Sequence, residues 1–300
     1  MTPAATPTRR SGWVAAALTG ILLLTGCGAA ATSDDAPPPE SASDNTPESA
    51  PAASPATAAS GDVTLPPAGA GFDYQLGGAY PPPAGATIVV RDRTAPPAAG
   101  AYGICYLNAF QTQPGEASTW PSDLLLTDAS GQPVVDPGWP DETIVNSRQI
   151  DRVAAVVTPW IQGCADAGYR AVEFDNLDTY TRTDGALTRD DNLRLARLLV
   201  TAAHGAGLAA AQKNAAEDAP LLRAQAGFDF AVAEECSAYD ECAAYTDVYG
   251  AHVLAIEYPD TLDAPLSEVC ARPDRPASLI LRDRKLVTPE ASGYRYETCR

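Results

Sequence analysis

Basic side chains are scarce in this 300-residue chain. Twenty Lys and Arg stand against 38 Asp and Glu, a formal net charge of −18 at pH 7. That balance argues against a nucleic-acid partner, because phosphate contacts need clustered Lys and Arg. Histidine is scarcer still, with His204 and His252 the only two. Two histidines cannot build a three-His catalytic zinc site, and they leave a His-based triad few candidates. No apolar run reaches the roughly 20 residues that span a bilayer, so no membrane-spanning helix is expected. Carboxylates are abundant, on a chain that is 45% apolar and 19% charged. Such a composition forms a core, in one large domain or two small ones.

Residues 1–27 read as an export signal. Arg9 and Arg10 give the positive start, Trp13 to Leu24 the apolar stretch, and Leu24-Thr25-Gly26-Cys27 the cleavage site. The tetrapeptide resembles a bacterial lipobox, which predicts lipidation at Cys27 and anchoring to the outer face of the cell membrane. Loss of the signal leaves 18 basic against 38 acidic groups, a charge of −20. Residues 28–66 are Ala, Pro, Ser, Thr, Asp and Glu, with no Lys or Arg and almost no large apolar side chain. This segment cannot bury enough surface to offset its ordering entropy, so a disordered, Pro-stiffened tether is expected ahead of a folded domain over 67–300.

With Cys27 assigned to lipid, six cysteines remain, an even number that suggests disulfides in an exported protein. Fifteen pairings are open to six cysteines. Proximity favours Cys236–Cys242 and Cys270–Cys299, which leaves Cys105–Cys164. Paired C-x-x-C knuckles are missing and no EF-hand-like loop is present, so neither metal nor cofactor is expected.

From about residue 70, short β-like runs alternate with helical stretches. The runs are Phe72–Leu76, Thr87–Arg91, Gly103–Asn108, Ala171–Asp175, Leu208–Gln212, Phe228–Glu234, Val253–Tyr258 and Ser278–Arg282. Between the later runs, Ile150, Val153, Val157, Ile161 and Cys164 share one helical face, with Gly168 as a stop and Pro159 as a candidate kink. Thr188 with Asp191 forms a capping-box-like start to a second helix, ended by Gly205. Eight strands alternating with helices predict an α/β fold, a (β/α)8 TIM barrel, irregular around strands 1–3 where the connections are too short for helices. A doubly wound open sheet is the alternative, but no Gly-rich phosphate loop follows the first run.

In such a barrel the chemistry sits at the C-terminal strand ends. Those ends carry Tyr106 and Asn108, Glu173 to Asp178, Gln212 to Asn214, Glu234 and Glu235, Glu257 and Tyr258, and Arg282 and Asp283. Glu173 and Asp175 share strand parity, so both face the axis if Val172 and Phe174 face the helices. Side by side they would repel unless a cation intervenes, and Lys213 on the next strand is placed to be that cation. Glu234 and Glu235 must point to opposite faces; Glu234 looks inward if Phe228, Phe230 and Val232 fill the barrel. Carboxylates on opposing strands suit glycoside cleavage, where a leaving oxygen is protonated while the anomeric carbon is attacked. Tyr106, Trp139, Tyr180, Tyr239 and Tyr258 are aromatic candidates for stacking on sugar rings.

The ordered motifs Ala171-Val-Glu-Phe-Asp-Asn-Leu-Asp178, Gln212-Lys-Asn214, Phe228-Asp-Phe-Ala-Val-Ala-Glu-Glu-Cys236 with Tyr239-Asp-Glu-Cys242, and Glu257-Tyr258 resemble glycoside hydrolase family 114. Its members are endo-α-1,4-polygalactosaminidases, and the resemblance runs from about residue 72 to Cys299. It implies a (β/α)8 barrel, a retaining mechanism and a substrate of α-1,4-linked galactosamine. The Asp of the family's E-x-D-N motif falls on Asp175 and the Glu of its N-E-x-C motif on Glu234. This favours Glu234 over Glu235 and makes Asp175 the nucleophile and Glu234 the acid/base. Glu173, Asn176, Asp178, Lys213, Asn214 and Glu257 match positions that line the sugar site, with Tyr106, Asn108, Tyr180, Glu235, Tyr239 and Tyr258 as further rim candidates.

The first-to-third strand side departs from the family pattern, and Ala233 stands where Asn precedes the motif Glu. The partner expected is a cationic amino-sugar polysaccharide, which an acidic protein attracts at long range. The protein itself is expected to be a monomer. A non-catalytic carbohydrate-binding lipoprotein and a hydrolase for another amino-sugar glycan are the alternatives.

Overall fold

The computed structural model of the protein describes residues 63–299. The export signal, the lipobox Cys27 and the expected tether up to residue 62 lie outside the described residues. Eight strands run parallel in sequence order: β1 (Gly71–Gln75), β2 (Ala86–Asp92), β3 (Tyr102–Asn108), β4 (Ala171–Asp175), β5 (Ala209–Lys213), β6 (Phe230–Glu234), β7 (Val253–Glu257) and β8 (Ser278–Arg282). A ninth strand, β9 (Tyr296–Thr298), pairs antiparallel with β8 and was not expected from the sequence. The result is a nearly closed barrel.

Strand parity divides the core into two layers. Phe72, Tyr74, Tyr102, Ile104, Phe230, Val232 and Ile256 fill the barrel together with small Ala171, Ala209 and Ala211. Bulky side chains from β1, β3 and β6 thus meet alanines from β4 and β5, so the interior packs without a pore. Leu107, Val172, Phe174, Ala231, Ala233 and Leu279 point the other way, into the layer beneath the helices. Phe228 belongs to this outer layer, against Phe174, because β6 begins two residues later than the sequence run.

Helix α1 (Ile150–Ala167) buries Val153, Val157, Ile161 and Cys164 and stops at Gly168, whose φ of 94° favours a residue without Cβ. Helix α2 (Arg189–Gly205) begins with the expected capping box between Thr188 and Asp191. The remaining helices are short: α3 (Ala219–Leu221), which runs on into a π-helical turn over Leu222–Ala226, α4 (Cys242–Tyr249) and α5 (Leu266–Val269). No helix joins β1 to β2 or β2 to β3, as the short connections dictate, and residues 109–149 between β3 and α1 are largely irregular. Among the described residues no helix is long and apolar enough to cross a membrane.

Side chains complete the seam between β1 and β8. Arg282, fully buried, donates to Asp73 Oδ1 at 3.0 Å and to the Tyr74 and Val287 carbonyls. Ser278 and Tyr296 donate to the carbonyls of Ala70 and Phe72. Three disulfides follow the expected pairing: Cys105–Cys164 ties β3 to α1, Cys236–Cys242 reaches α4, and Cys270–Cys299 joins the end of α5 to the end of β9. Residues 63–66, expected within the tether, pack on the N-terminal end of the barrel. Val63 and Leu65 lie against its core, and Tyr102 and His252 bond the Thr64 and Pro66 carbonyls.

Candidate active site

Lys213 is the hub of the opposite end. It closes β5 with its side chain aimed along the axis, and only 3% of that side chain is exposed. Its ammonium lies 3.1 Å from Glu234 Oε2, 3.6 Å from Glu173 Oε1 and 3.7 Å from Asp175 Oδ2. Burial pulls its pKa down, but the charges of Asp175, Glu234 and Glu173 outweigh burial and hold the lysine well above its ordinary pKa. Tyr74 and Tyr106 lie against it at 5.3 and 5.8 Å from ring centre to nitrogen.

Asp175 and Glu234 are the two carboxylates that solvent reaches, with 15% and 23% of their side chains exposed. Asp175 Oδ1 accepts from the Asn176 amide at 2.8 Å, and Oδ2 accepts from the Tyr106 hydroxyl at 2.7 Å. Glu234 Oε1 accepts from Tyr258, and Oε2 accepts from Asn214 Nδ2 at 3.2 Å as well as facing Lys213. Burial pushes the Glu234 carboxyl up, but the Lys213 ammonium and the bonds from Tyr258 and Asn214 prevail and hold it below the ordinary range. Burial and the adjacent carboxylates raise both tyrosine hydroxyls well above the usual phenol range, so they stay donors. Each carboxylate lies within 3.7 Å of the same nitrogen, so their facing oxygens are at most about 7 Å apart.

Glu173 lies below this pair and is fully buried. Tyr74 donates to its Oε1 at 2.6 Å, while Oε2 has no partner among the described residues. Burial, opposed by the Lys213 charge, lifts its carboxyl to about 7. Glu173 therefore shapes the charge of the site from beneath and does not line a sugar.

The turns after β4, β5 and β6 carry the rest. Asn176, Asn214, Ala215 and Glu235 all have φ between 50° and 62°, the left-handed region. Asn adopts it at low cost, whereas Ala and Glu are strained there, a pattern that clusters at functional sites. Asn214 also accepts from the Glu234 amide at 2.8 Å, so one side chain fixes both ends of that residue. Arg182 holds Asp178 at 3.0 Å and Asn176 Oδ1 at 3.1 Å, and reaches Asp136 at 2.7 Å.

Other expected site residues make contacts of their own, away from Lys213. Glu257 has the outward parity of β7: it is buried beside the Cys236–Cys242 disulfide and accepts from the Ser237 amide at 2.8 Å. Those three residues form the one candidate metal cluster among the described residues, but its cysteines are bonded to each other. Glu235 points away from Glu234 and pairs with Arg284 at 2.7 Å, and Arg284 lies over the Tyr258 ring. Tyr180 donates to Asp218, Asn108 donates to Glu142, and Tyr239 and Trp139 stand exposed. Sequence reasoning missed Tyr74, Glu142, Arg182 and Arg284. The inward parity of Tyr74 was readable from β1, but no local pattern marks the other three.

Two solvent-reached carboxylates at the C-terminal mouth of a parallel barrel are an arrangement that glycosidic cleavage can use. Residues 52–300 match the model of glycoside-hydrolase family GH114. The chain belongs to that family. It is a GH114 glycoside hydrolase, with a barrel similar to that of Aspergillus fumigatus Ega3, solved in complex with galactosamine. That likeness has a TM-score of 0.64 and 24% identity, covering 80% of this chain and 100% of that one. The glycoside hydrolase domain of PelA from Pseudomonas aeruginosa is also similar, with a TM-score of 0.54 and 16% identity over 74% of this chain and 98% of the domain. At these identities the likeness carries the fold. No curated relative matches the chain.

Proposed function

We propose that this GH114 protein hydrolyses an amino-sugar polysaccharide of α-1,4-linked galactosamine, with Asp175 as nucleophile and Glu234 as acid/base in a retaining reaction. The observation that carries the reading is the pair of reachable carboxylates that share Lys213. Retaining enzymes place the two groups about 5–5.5 Å apart and inverting ones at about 6.5–9.5 Å, to admit a water. An upper bound of about 7 Å on the facing oxygens admits the retaining spacing and lies below most of the inverting range, which favours direct attack. Asp175 then bonds to the anomeric carbon while Glu234 protonates the leaving oxygen, and Glu234 next takes a proton from the water that frees the sugar.

The substrate assignment draws on the galactosamine bound by Ega3 and on charge: a galactosamine polymer is cationic near neutrality and this chain carries −18. Because Lys213 holds Glu234 low, its proton-bearing form is a minority at neutral pH, so kcat at saturating substrate rises as pH falls from 7. Reducing-end release from a glycan panel, with product anomers followed by NMR, tests the reading. Release confined to galactosamine polymers, with the α anomer first, supports it. Binding without release would instead favour a carbohydrate-binding protein. Lipid anchoring at Cys27 and export to the outer face of the cell membrane are part of this proposal, checked by palmitate labelling that Cys27→Ala abolishes.

A further inference from the structure

Glu142 takes no part in the reaction just proposed, yet it is held at the same mouth. It comes from the irregular segment 109–149, where the bridge Val135↔Thr143 folds the turn bearing Trp139 back on itself. Gln111 Nε2 at 2.6 Å and Asn108 Nδ2 at 3.2 Å both donate to its Oε2. Asn108 stands opposite Asp175 in the β3–β4 register, so the carboxylate is delivered to the β3 side of Asp175. The residue is only 8% exposed, and among the described residues no hydrogen bond reaches its Oε1. Arg182, the cation of this wall, is engaged by Asp136, Asp178 and Asn176 and does not bond Glu142.

A carboxylate with one oxygen pinned and the other open, beside Asp136 and Asp175, is an acceptor that lacks its cation. We propose that Glu142 binds the primary ammonium of the sugar unit held at Asp175 and thereby selects amine-bearing over N-acetylated units. This rests on the amino-sugar reading above. An acetamido group has no charge to offer and leaves the carboxylate without a counter-ion, so it is disfavoured in the way a polar site rejects an analogue lacking its partner. Burial, with the charges of Asp175 and Asp136 added against the Gln111 bond, lifts the Glu142 carboxyl to about 7. An arriving ammonium relieves that cost by favouring the ionised form.

The decisive comparison uses Glu142→Gln, which keeps an acceptor for Gln111 and Asn108 and removes the charge. On a fully deacetylated α-1,4-galactosamine polymer and its N-acetylated form, the ratio of kcat/KM should fall at least tenfold in the variant, mainly through KM. A ratio within twofold of wild type overturns the assignment, as does a loss confined to kcat and equal on both polymers. Should Glu142→Gln fold poorly by thermal melt, Glu142→Asp keeps the charge at shorter reach and should give a ratio between the two. Wild-type protein that cleaves neither polymer would sink the proposed function; calorimetry of galactosamine trisaccharide then decides Glu142 by itself. Binding to Asp175→Asn should weaken about tenfold when Glu142→Gln is added, and unchanged binding refutes the role.

Discussion

The two arcs of the barrel mouth are built differently. From β4 to β6 the working groups are strand-end residues, Asp175, Lys213 and Glu234, aimed by parity and each followed by a left-handed turn. From β1 to β3 the strands supply supports, Tyr74 and Tyr106, and the outer carboxylate Glu142 arrives on an irregular segment held by side-chain bonds. Strand ends give a rigid geometry that suits bond breaking. A segment placed by a few polar contacts is freer to vary, which suits the recognition of particular sugars.

Removing the hub should break the first arc most severely. Lys213→Met leaves three carboxylates facing one another without their cation, and loss of one partner of a buried ionic cluster costs about 3–5 kcal/mol. Urea denaturation should register that loss together with near-complete inactivation. A variant as stable as wild type would mean the carboxylates do not depend on the lysine.

The second arc is tied down covalently. Replacing Cys105 and Cys164 together with Ser opens a loop of 59 residues, worth about 4 kcal/mol in the chain-entropy model. Thermal melts should show the loss, and Cys236→Ser with Cys242→Ser, across 6 residues, should cost about half as much. Equal costs would deny that the wider loop is the stronger constraint.

Glu173 gives a pH test of the layer beneath both arcs. Its folded pKa of about 7 lies above the ordinary 4.5, so between those values the folded protein holds a proton that the unfolded chain has released. That contribution is fully present below pH 4.5 and is lost as pH rises through 7, at up to about 1.4 kcal/mol per pH unit. Glu173→Gln removes the titration, so its melting temperature relative to wild type should climb from pH 5 to pH 7. A constant difference would show that Glu173 is ionised throughout. The smallest effect is local: Ala215→Gly relieves a left-handed Ala and should stabilise the first arc by about 1 kcal/mol in the same melts.

This division also explains what could be read from the chain. Period-two alternation sets Glu173 and Asp175 on one face with Lys213 on the next strand, the family resemblance selects Glu234 over Glu235, and the capping box at Thr188 locates α2. Parity cannot say where a run begins, so the condition that Phe228, Phe230 and Val232 all fill the barrel holds for the last two and not for Phe228, because β6 starts at Phe230. Glu257 matched a motif but has the outward parity of its strand, opposite to Tyr258. Glu142 has its partners 31 and 34 residues away in a segment without period, and Arg284 meets Glu235 across 49 residues. Such contacts leave no local trace. The three-residue β9 is likewise too short to carry a pattern.

The central claim is that residues 175 and 234 act as one unit on one linkage. Rates of reducing-end release on deacetylated galactosamine polymer, for Asp175→Asn, Glu234→Gln and the double variant, test it most directly. Each single change should cost at least about a hundredfold, and the double variant should be little slower than the slower single, because groups acting together are not additive. Losses below about tenfold in either single variant, or losses that multiply in the double, would contradict it.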